Sequence, residues 1–586
     1  MKRKKSIISI LLSAVMLVGC LCISAAPAAA VQDNTRILGT GNATAYNLPD
    51  NIQDGNIFHA FTWRFTDVTK YIKEIASQGF GAVQVSPVQG TAVAETDNAA
   101  SYMIDWWKYY QPVNFSIGNG LGTKEDFTQM CQVAEEYGIK IIVDVVANHM
   151  AQGSGGTLYS KSEQIPADLR DDPSCWHSVR EMVSDGSRYD MTQKSLNGLP
   201  DLNTASPKVQ SYVKNLLKEC IEAGADGFRF DAAKHIELPA SIDGASGSDF
   251  WPNITSYAKS LKPDVYLYGE ILNTAGTSYS NYTQYIKITD SGQGSDIRSA
   301  IKSNNSSTSL VAYNCSGASA GDLVTWVESH DNFCDKTSTN LTHQQLLLGW
   351  GVAGARKDAA ALYFCRPEHE RVSSAGFIDY DEMIGGPGST LWQDKTVGEV
   401  NKFRNCFAGQ SETVASSGSQ FYVQRGTSGM VITNFSSGAA SINYSTSMAD
   451  GTYKDQVSGN TFTVSGGRLT GSVPAKAVAV IYNKTETTPS VQLALNGQNV
   501  TADTTTFTGK TTGYYTNNHN FTTDTATLAF TLEDAVSGTY SIDGGAPVSF
   551  TGAETITIGN GIASNTAISV VVTATDGVRT TEETYQ

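Results

Sequence analysis

Apolar residues along the first two thirds of the chain fall into short continuous runs rather than alternating ones. Eight such runs are Ile57–Trp63, Gly81–Ser86, Ile139–Val146, Gly227–Asp231, Val265–Gly269, Tyr285–Thr289, Leu323–Val327 and Ala361–Phe364. Continuous apolar strands are typical of a parallel sheet covered by helices on its faces. Between several of the runs lie segments with helical spacing of apolar positions: Val68–Gln78, Lys124–Tyr137 and Pro207–Ala223. Thr123 ahead of Lys124-Glu125-Asp126 reads as a helix start, and Ser206-Pro207 puts a proline in a first helical turn. Eight strand–helix units predict an α/β fold, a (β/α)8 TIM barrel, over residues 45–392. The connection after the third run is long, polar and irregular, so residues 149–200 are expected to form a small inserted subdomain.

Beyond residue 392 the pattern changes. Thr, Ser, Val and Gly dominate, with alternation as in Gln420–Arg425 and Thr461–Val464, which predicts an all-β domain over 395–483. Residues 484–490 are a candidate linker. Residues 491–586 alternate again, as in Ala526–Leu532 and Ala567–Ala574, and predict a separate C-terminal β-sandwich.

Composition narrows the function. The 586 residues are 40% hydrophobic and 17% charged, which excludes collagen, coiled coil and a mostly disordered chain. The net charge is −16, and the first thirty residues carry only positive charge, so the rest is more acidic still. That argues against nucleic acid or an anionic membrane as partner and favours a neutral substrate. Lys2-Arg3-Lys4-Lys5, an apolar stretch and Ala28-Ala29-Ala30 read as a signal peptide over residues 1–30. The mature protein is therefore expected to be secreted and extracellular, off the membrane and monomeric. Leu17-Val18-Gly19-Cys20 resembles a lipoprotein box and leaves anchoring at Cys20 as the alternative. Seven of the nine cysteines lie beyond that segment, an odd number without zinc spacing. Mostly buried free thiols are expected, with a disulfide or two as the alternative.

In a barrel, chemistry sits at the C-terminal ends of the strands. Four runs end in polar clusters: Asp144-Val145-Val146-Ala147-Asn148-His149, Gly227-Phe228-Arg229-Phe230-Asp231, Tyr268-Gly269-Glu270 and Val327-Glu328-Ser329-His330-Asp331. One carboxylate at a strand end can simply cap the next helix. Three from three strands of one rim, with an arginine and two histidines, read as paired carboxylates for glycoside hydrolysis.

The four clusters resemble the four signature regions of glycoside hydrolase family 13, and Leu199-Pro200-Asp201-Leu202-Asn203 resembles its fifth. Their order and spacing resemble the secreted alpha-amylases of Gram-positive bacteria, over roughly residues 45–483. The resemblance implies endo-hydrolysis of α-1,4-glucosidic bonds in starch, glycogen and related α-glucans, with retention of configuration. It makes Asp231 the nucleophile, Glu270 the general acid/base and Asp331 the stabiliser of the oxocarbenium-like transition state. Glu270 then needs a raised pKa. Arg229 would keep Asp231 ionised, while Asp144 reads as structural. His149 and His330 would bind sugar hydroxyls. In Trp106-Trp107-Lys108-Tyr109-Tyr110-Gln111-Pro112, Tyr110 would stack under the scissile sugar and Trp107 under its neighbour, with Gln111 beside them and Trp106 in the core. Lys234 and His235 would contact the aglycone.

The resemblance also implies a structural calcium ion, held by Asn148, Asp201 and the carbonyls of Thr192 and His235, with Asp190 as the alternative to Thr192. Ser329 stands where chloride-activated relatives carry Asn, which argues against chloride dependence. Two other readings stay open: an α-glucan transglycosylase of the same family and a non-catalytic α-glucan-binding protein. Residues 491–586 contain Tyr514, Tyr515, His519, Phe521, Tyr540 and Phe550; a starch-binding platform on Tyr514-Tyr515, with Asn517-Asn518-His519-Asn520 just beyond, and a structural spacer remain equally open.

Overall fold

The computed structural model describes residues 46, 48–92, 106–153, 156–184, 186–272, 276–367, 388–483, 489–507, 510–513, 523, 525–533, 535, 537–559, 567–575 and 580–586. The signal peptide, Cys20, most of the linker, and Tyr514, Tyr515, His519 and Phe521 lie outside the described residues.

Eight parallel strands close a barrel: β1 (Asn56–Ala60), β2 (Ala82–Val85), β3 (Lys140–Val146), β4 (Gly227–Asp231), β5 (Tyr266–Gly269), β6 (Lys287–Thr289), β7 (Leu323–Trp326) and β8 (Ala360–Phe364). Each expected run overlaps one of them, β1 and β8 starting one residue earlier than expected. They are buried along nearly their whole length because side chains fill the barrel on one face and helices cover the other. The covering helices include α1 (Phe65–Ser77), α2 (Lys124–Glu136), α3 (Pro207–Ala223), α4 (Phe250–Leu261), α5 (Ser291–Ser303), α6 (His343–Ala353) and α7 (Lys395–Cys406). Thr123 and Asp126 form a reciprocal capping box on α2, and Pro207 opens α3. Between β5 and β6 the crossover helix shrinks to Tyr279–Thr283.

Ile57, Ala82, Ile142, Tyr266, Val324, Trp326 and Leu362 fill the apolar barrel interior. A strand repeats its facing every two residues. Two residues beyond Ile57, Ile142 and Leu362 come His59, Asp144 and Phe364, all buried. Asp144 pairs in register with Arg229 on the adjacent strand. The barrel thus changes from apolar to polar where the loops begin. Residues 149–200 form the insertion, mostly loop with the short helices Ala167–Arg170 and Arg188–Gln193. It is tied back by bridges from His149 to Asp201 and from Trp176 to Leu202.

The all-β domain starts later than expected. Lys395–Cys406, assigned above to the all-β stretch, is the helix α7 that completes the barrel. Asp394 caps it, and buried Val397, Val400 and Phe403 recur at helical spacing. The strands begin at Glu412 and form two four-stranded antiparallel sheets. One has the order 412–417, 420–425, 429–434, 477–482, and the other 440–445, 468–473, 461–465, 451–454. Their shared core includes Met430, Ile432, Phe462, Leu469 and Ile481.

Residues 489–586 are a separate compact unit. Here a four-stranded and a six-stranded antiparallel sheet enclose Leu493, Leu528, Phe530, Phe550, Val572 and Tyr585. Tyr540 and Phe550 pack on Phe530 in that core, Tyr540 stacked at 4.8 Å. The seven cysteines among the described residues are all free, which goes against the disulfide alternative.

One buried amide joins three elements around β1. Asn401 on α7 accepts from Asn56 Nδ2 (2.8 Å) and Trp350 Nε1 (3.0 Å) and donates to the Gln78 carbonyl (2.9 Å). Its loss strands buried donors, so Asn401→Leu should destabilise the protein by about 2–4 kcal/mol. Loss of the exposed α2 cap in Thr123→Ala should cost about 1 kcal/mol. Thermal unfolding of both variants checks that order, and a smaller shift for Asn401→Leu contradicts it.

Candidate active site

The ends of β3, β4 and β5 and the segment after β7 converge on one buried guanidinium. Arg229 Nη1 lies 2.7 Å from Asp144 Oδ2 and 2.9 Å from Asp231 Oδ1, and its Nη2 lies 3.0 Å from Glu270 Oε2. Arg229 and Asp231 sit two residues apart on β4 and so share a face. Asp144 also accepts from the Tyr110 hydroxyl (3.0 Å), which makes it part of the scaffold under the site.

Directly after Asp231 the chain turns through Ala232, a non-glycine residue at φ 48°, ψ 31°. This left-handed conformation costs roughly 1–2 kcal/mol. It aims the Ala232 N–H at Glu270 Oε2, 3.0 Å away. Room for that turn comes from Gly269, where an added Cβ would stand 2.6 Å from the Ala233 side chain.

Asp331 and His330 lie in the first turn of a short helix, His330–Cys334. Ser329 is its N-cap and forms a capping box with Asn332, so its hydroxyl is already engaged. The His330 ring is sandwiched between Tyr110 (5.6 Å, 8° between planes) and Phe61 (5.0 Å, 27°), with His59 edge-on at 5.4 Å. Its Nε2 is 3.4 Å from Asp331 Oδ1.

Charges in this pocket are coupled. Burial raises the pKa of Asp231 well above the usual carboxylate range, with Arg229 opposing it and Glu270 adding to it. Burial and the Glu270 charge likewise bring Asp331 to about 7. For Glu270, burial pushes up, but the Arg229 charge and the Ala232 N–H outweigh it and leave the group below its ordinary value. Against the raised Glu270 expected above, Arg229 and the Ala232 N–H favour the ionised carboxylate in this pocket. Asp231 and Glu270 share one cation, so their protons belong to the set rather than to either group. Burial lowers His149 and His330 to about 4, and both rings are neutral at pH 7.

The aromatic segment forms a 3-10 turn, Trp106–Tyr110. Trp107 is 43% exposed, whereas Tyr110 is only 8% exposed and stacks on His330. Trp106 packs edge-on against Tyr110 (5.7 Å) and His330 (6.0 Å). Gln111 follows, half-buried, with its N–H on the Lys108 carbonyl. His149 Nε2 meets the Tyr110 carbonyl at 3.0 Å, which ties β3 to this segment. Lys234 donates its N–H to the Glu270 carbonyl (3.3 Å), while His235 Nδ1 meets the Met191 carbonyl at 2.9 Å.

The residues considered for calcium fall into two local contacts. Asn148 Nδ2 lies 3.1 Å from Asp201 Oδ1, and Thr192 neighbours the Met191 that contacts His235. Asp190 instead pairs with Lys194 (2.7 Å) on the surface. Asp201 Oδ2 bonds His177 Nδ1 (2.6 Å), whose Nε2 meets Glu237 Oε1 (2.8 Å). Sequence reasoning missed His177 and Glu237, since nothing in the irregular insertion marks one histidine. It also passed over Glu328 and Arg366. Glu328 stood inside a quoted motif, and Arg366 follows the eighth strand by two residues, which were the available signals.

Residues 64–342 match the alpha amylase catalytic domain, and residues 414–484 match the alpha amylase C-terminal all-beta domain. An alpha-amylase of Clostridium acetobutylicum is 36% identical over 458 residues, 77% of this chain and 57% of that protein. One of Butyrivibrio fibrisolvens is 32% identical over 489 residues, 77% of this chain and 49% of that protein. The chain thus spans about half the length of these curated relatives. The crystal structure of alpha-amylase I from Eisenia fetida shares the fold, with a TM-score of 0.60 over 74% of this chain and 98% of that one at 20% identity. With a closed eight-stranded barrel and the all-β domain after it, both matched in sequence, the chain belongs to the alpha-amylase family.

Proposed function

We propose that this protein is a secreted alpha-amylase that cleaves internal α-1,4 bonds of starch and related α-glucans with retention of configuration. The observation that carries the reading is Arg229 holding Asp231 and Glu270 on one guanidinium at 2.9 and 3.0 Å, beside Asp331. Two carboxyl groups on one cation are close neighbours, as a double-displacement reaction needs.

In the reaction, Asp231 attacks the anomeric carbon and forms a glycosyl ester, while Glu270 protonates the departing oxygen. Glu270 then takes a proton from the water that hydrolyses the ester. The first step needs Asp231 ionised and Glu270 protonated, whereas burial pushes Asp231 up and Arg229 pulls Glu270 down. A sugar that hydrogen-bonds the Asp231–Asp331 side and shields Glu270 from Arg229 would favour the productive arrangement. Exposed Trp107 offers a stacking face for a neighbouring glucosyl unit. His330, fixed by its ring contacts and neutral, presents a nitrogen to sugar hydroxyls.

Calcium belongs to the same reading. Among the described residues no group of three or more His, Cys, Asp or Glu side chains is disposed to hold a metal. The candidate set is instead one carboxylate, one amide and main-chain carbonyls, the hard oxygen donors that calcium takes. Asp201 and Asn148 are buried and adjacent, and burial raises Asp201 to about 7. A carboxylate oxygen has a second lone pair beside the one His177 uses, and the Asn148 amide can turn its oxygen inward. The donors therefore fit, and Asn148, Asp201 and the carbonyls of Thr192 and His235 would hold the ion. When bound, it would supply divalent charge beside Asp201, whose other oxygen already pairs with His177, and would tie the insertion to the barrel. Chloride stays outside this reading, since Ser329 stands where the resemblance puts Asn in chloride-activated relatives.

Asp231→Asn should lower kcat on soluble starch by at least about 10⁴-fold. In the wild type, iodine staining should fall well before reducing ends accumulate. Staining loss without reducing ends would instead favour transglycosylation, and an inert wild type would favour a binding protein. Chelation should lower the thermal midpoint by about 3 °C relative to calcium at about 100-fold its Kd, with magnesium failing to restore it. A midpoint indifferent to both would remove calcium from the reading.

A further inference from the structure

A second buried arginine lies behind the catalytic cluster. Arg366 follows β8 by two residues and forms a two-pronged ion pair with Glu328, Nε to Oε1 at 2.6 Å and Nη2 to Oε2 at 2.9 Å. Glu328 stands three residues before Asp331. The same guanidinium donates to the carbonyls of Ser338 (2.9 Å) and Leu341 (3.1 Å), on the far side of the short helix that bears Asp331. It also lies 5.3 Å from the ring of Phe333, inside that helix. Arg366, Glu328, Phe333, Ser338 and Leu341 are all buried.

The geometry matters because the helix His330–Cys334 has only five residues. A helix that short does not hold its place by its own hydrogen bonds. Ser329 and Asn332 cap its start, but a cap sets local conformation, not position against the barrel. Arg366 contacts the chain before the helix, within it and after it, from one rigid planar fork. Its main-chain carbonyl accepts from Ser389 N–H (2.8 Å), and the preceding Cys365 N–H donates to the His59 carbonyl (3.2 Å). The fork is thus rooted in the barrel wall.

We propose that Arg366, paired with Glu328, is a positioning residue for Asp331, holding that carboxylate in register with Asp231 and Glu270 across the cleft. The inference rests on the catalytic reading of Asp331 given above. Arg366 touches none of Asp231, Glu270 and Asp331 among its recorded contacts, so its effect must travel through the segment 328–341. A displacement of about 1 Å at a reacting group costs about 10²-fold in rate. A lysine at position 366 keeps the charge but loses the fork.

The test is a double-mutant cycle on an aryl maltotrioside with a good leaving group, whose turnover remains measurable in weak variants. Wild type and Asp231→Asn come first. If wild type is inert, or if Asp231→Asn is fully active, the catalytic reading itself fails. With that reading intact, Arg366→Lys should lower kcat by about 10²-fold and change KM less than about threefold. In an Asp331→Asn background the same change should cost less than about threefold, because the group it positions is already lost. Glu328→Gln, which keeps the fork's acceptor geometry in part and loses the charge, should show the same non-additivity. It serves as the second variant should Arg366→Lys fail to fold. Equal losses in both backgrounds, or a lowered thermal midpoint with unchanged kcat, would overturn the proposal.

Discussion

The site depends on the burial of one guanidinium. Four carboxylates, Asp144, Asp231, Glu270 and Asp331, crowd the top of a closed barrel where water is scarce. Such a set cannot be gathered without a cation, because each buried ionised carboxylate carries a desolvation cost of several kcal/mol. Arg229 contacts three of them from one planar group. Its pairing with Asp144 fixes its own position, since those two residues are register partners on neighbouring strands. The remaining donors are then aimed at the two carboxyl groups of the proposed displacement. Asp144 is the scaffold side of this arrangement and Asp231 with Glu270 the chemical side.

Around that core the fold uses two kinds of support. Strand ends supply Asp231 and Glu270, where the ladder of a closed barrel leaves little freedom. A loop and a short helix supply Asp331 and His330, where freedom must be removed by other means. Ring packing by Phe61, Tyr110 and His59 does this for His330, and the Ser329 cap sets the helix start. The Arg366–Glu328 pair completes the enclosure from behind. The insertion is handled similarly, with His177 bridging Asp201 and Glu237 across segments far apart in the chain.

Much of this was legible in one dimension. Buried parallel strands write themselves as continuous apolar runs, so all eight barrel strands were visible before any coordinates. The motif clusters fell at their ends because the fold places loops there. The Thr123 and Pro207 helix starts were readable for the same local reason. Where reading failed, a competing signal won. The Thr- and Ser-rich tract masked the boundary at Lys395–Cys406, although its apolar spacing is helical. In the last domain, alternation alone did not say which face of the sandwich is inside, and Tyr540 and Phe550 pack there with Phe530.

The amino-acid sequence by itself determined the barrel, its all-β companion and the identity of the residues that could do chemistry, because those follow from local periodicity and from motif order. Only the tertiary structure decided how charge is shared among them. Whether Glu270 or Asp231 holds the proton depends on burial and on which oxygen meets which nitrogen of Arg229, quantities that arise between strands and not along them. The same holds for Arg366, whose partners span residues 328–341 and whose role is invisible until the barrel closes and brings β7 and β8 side by side.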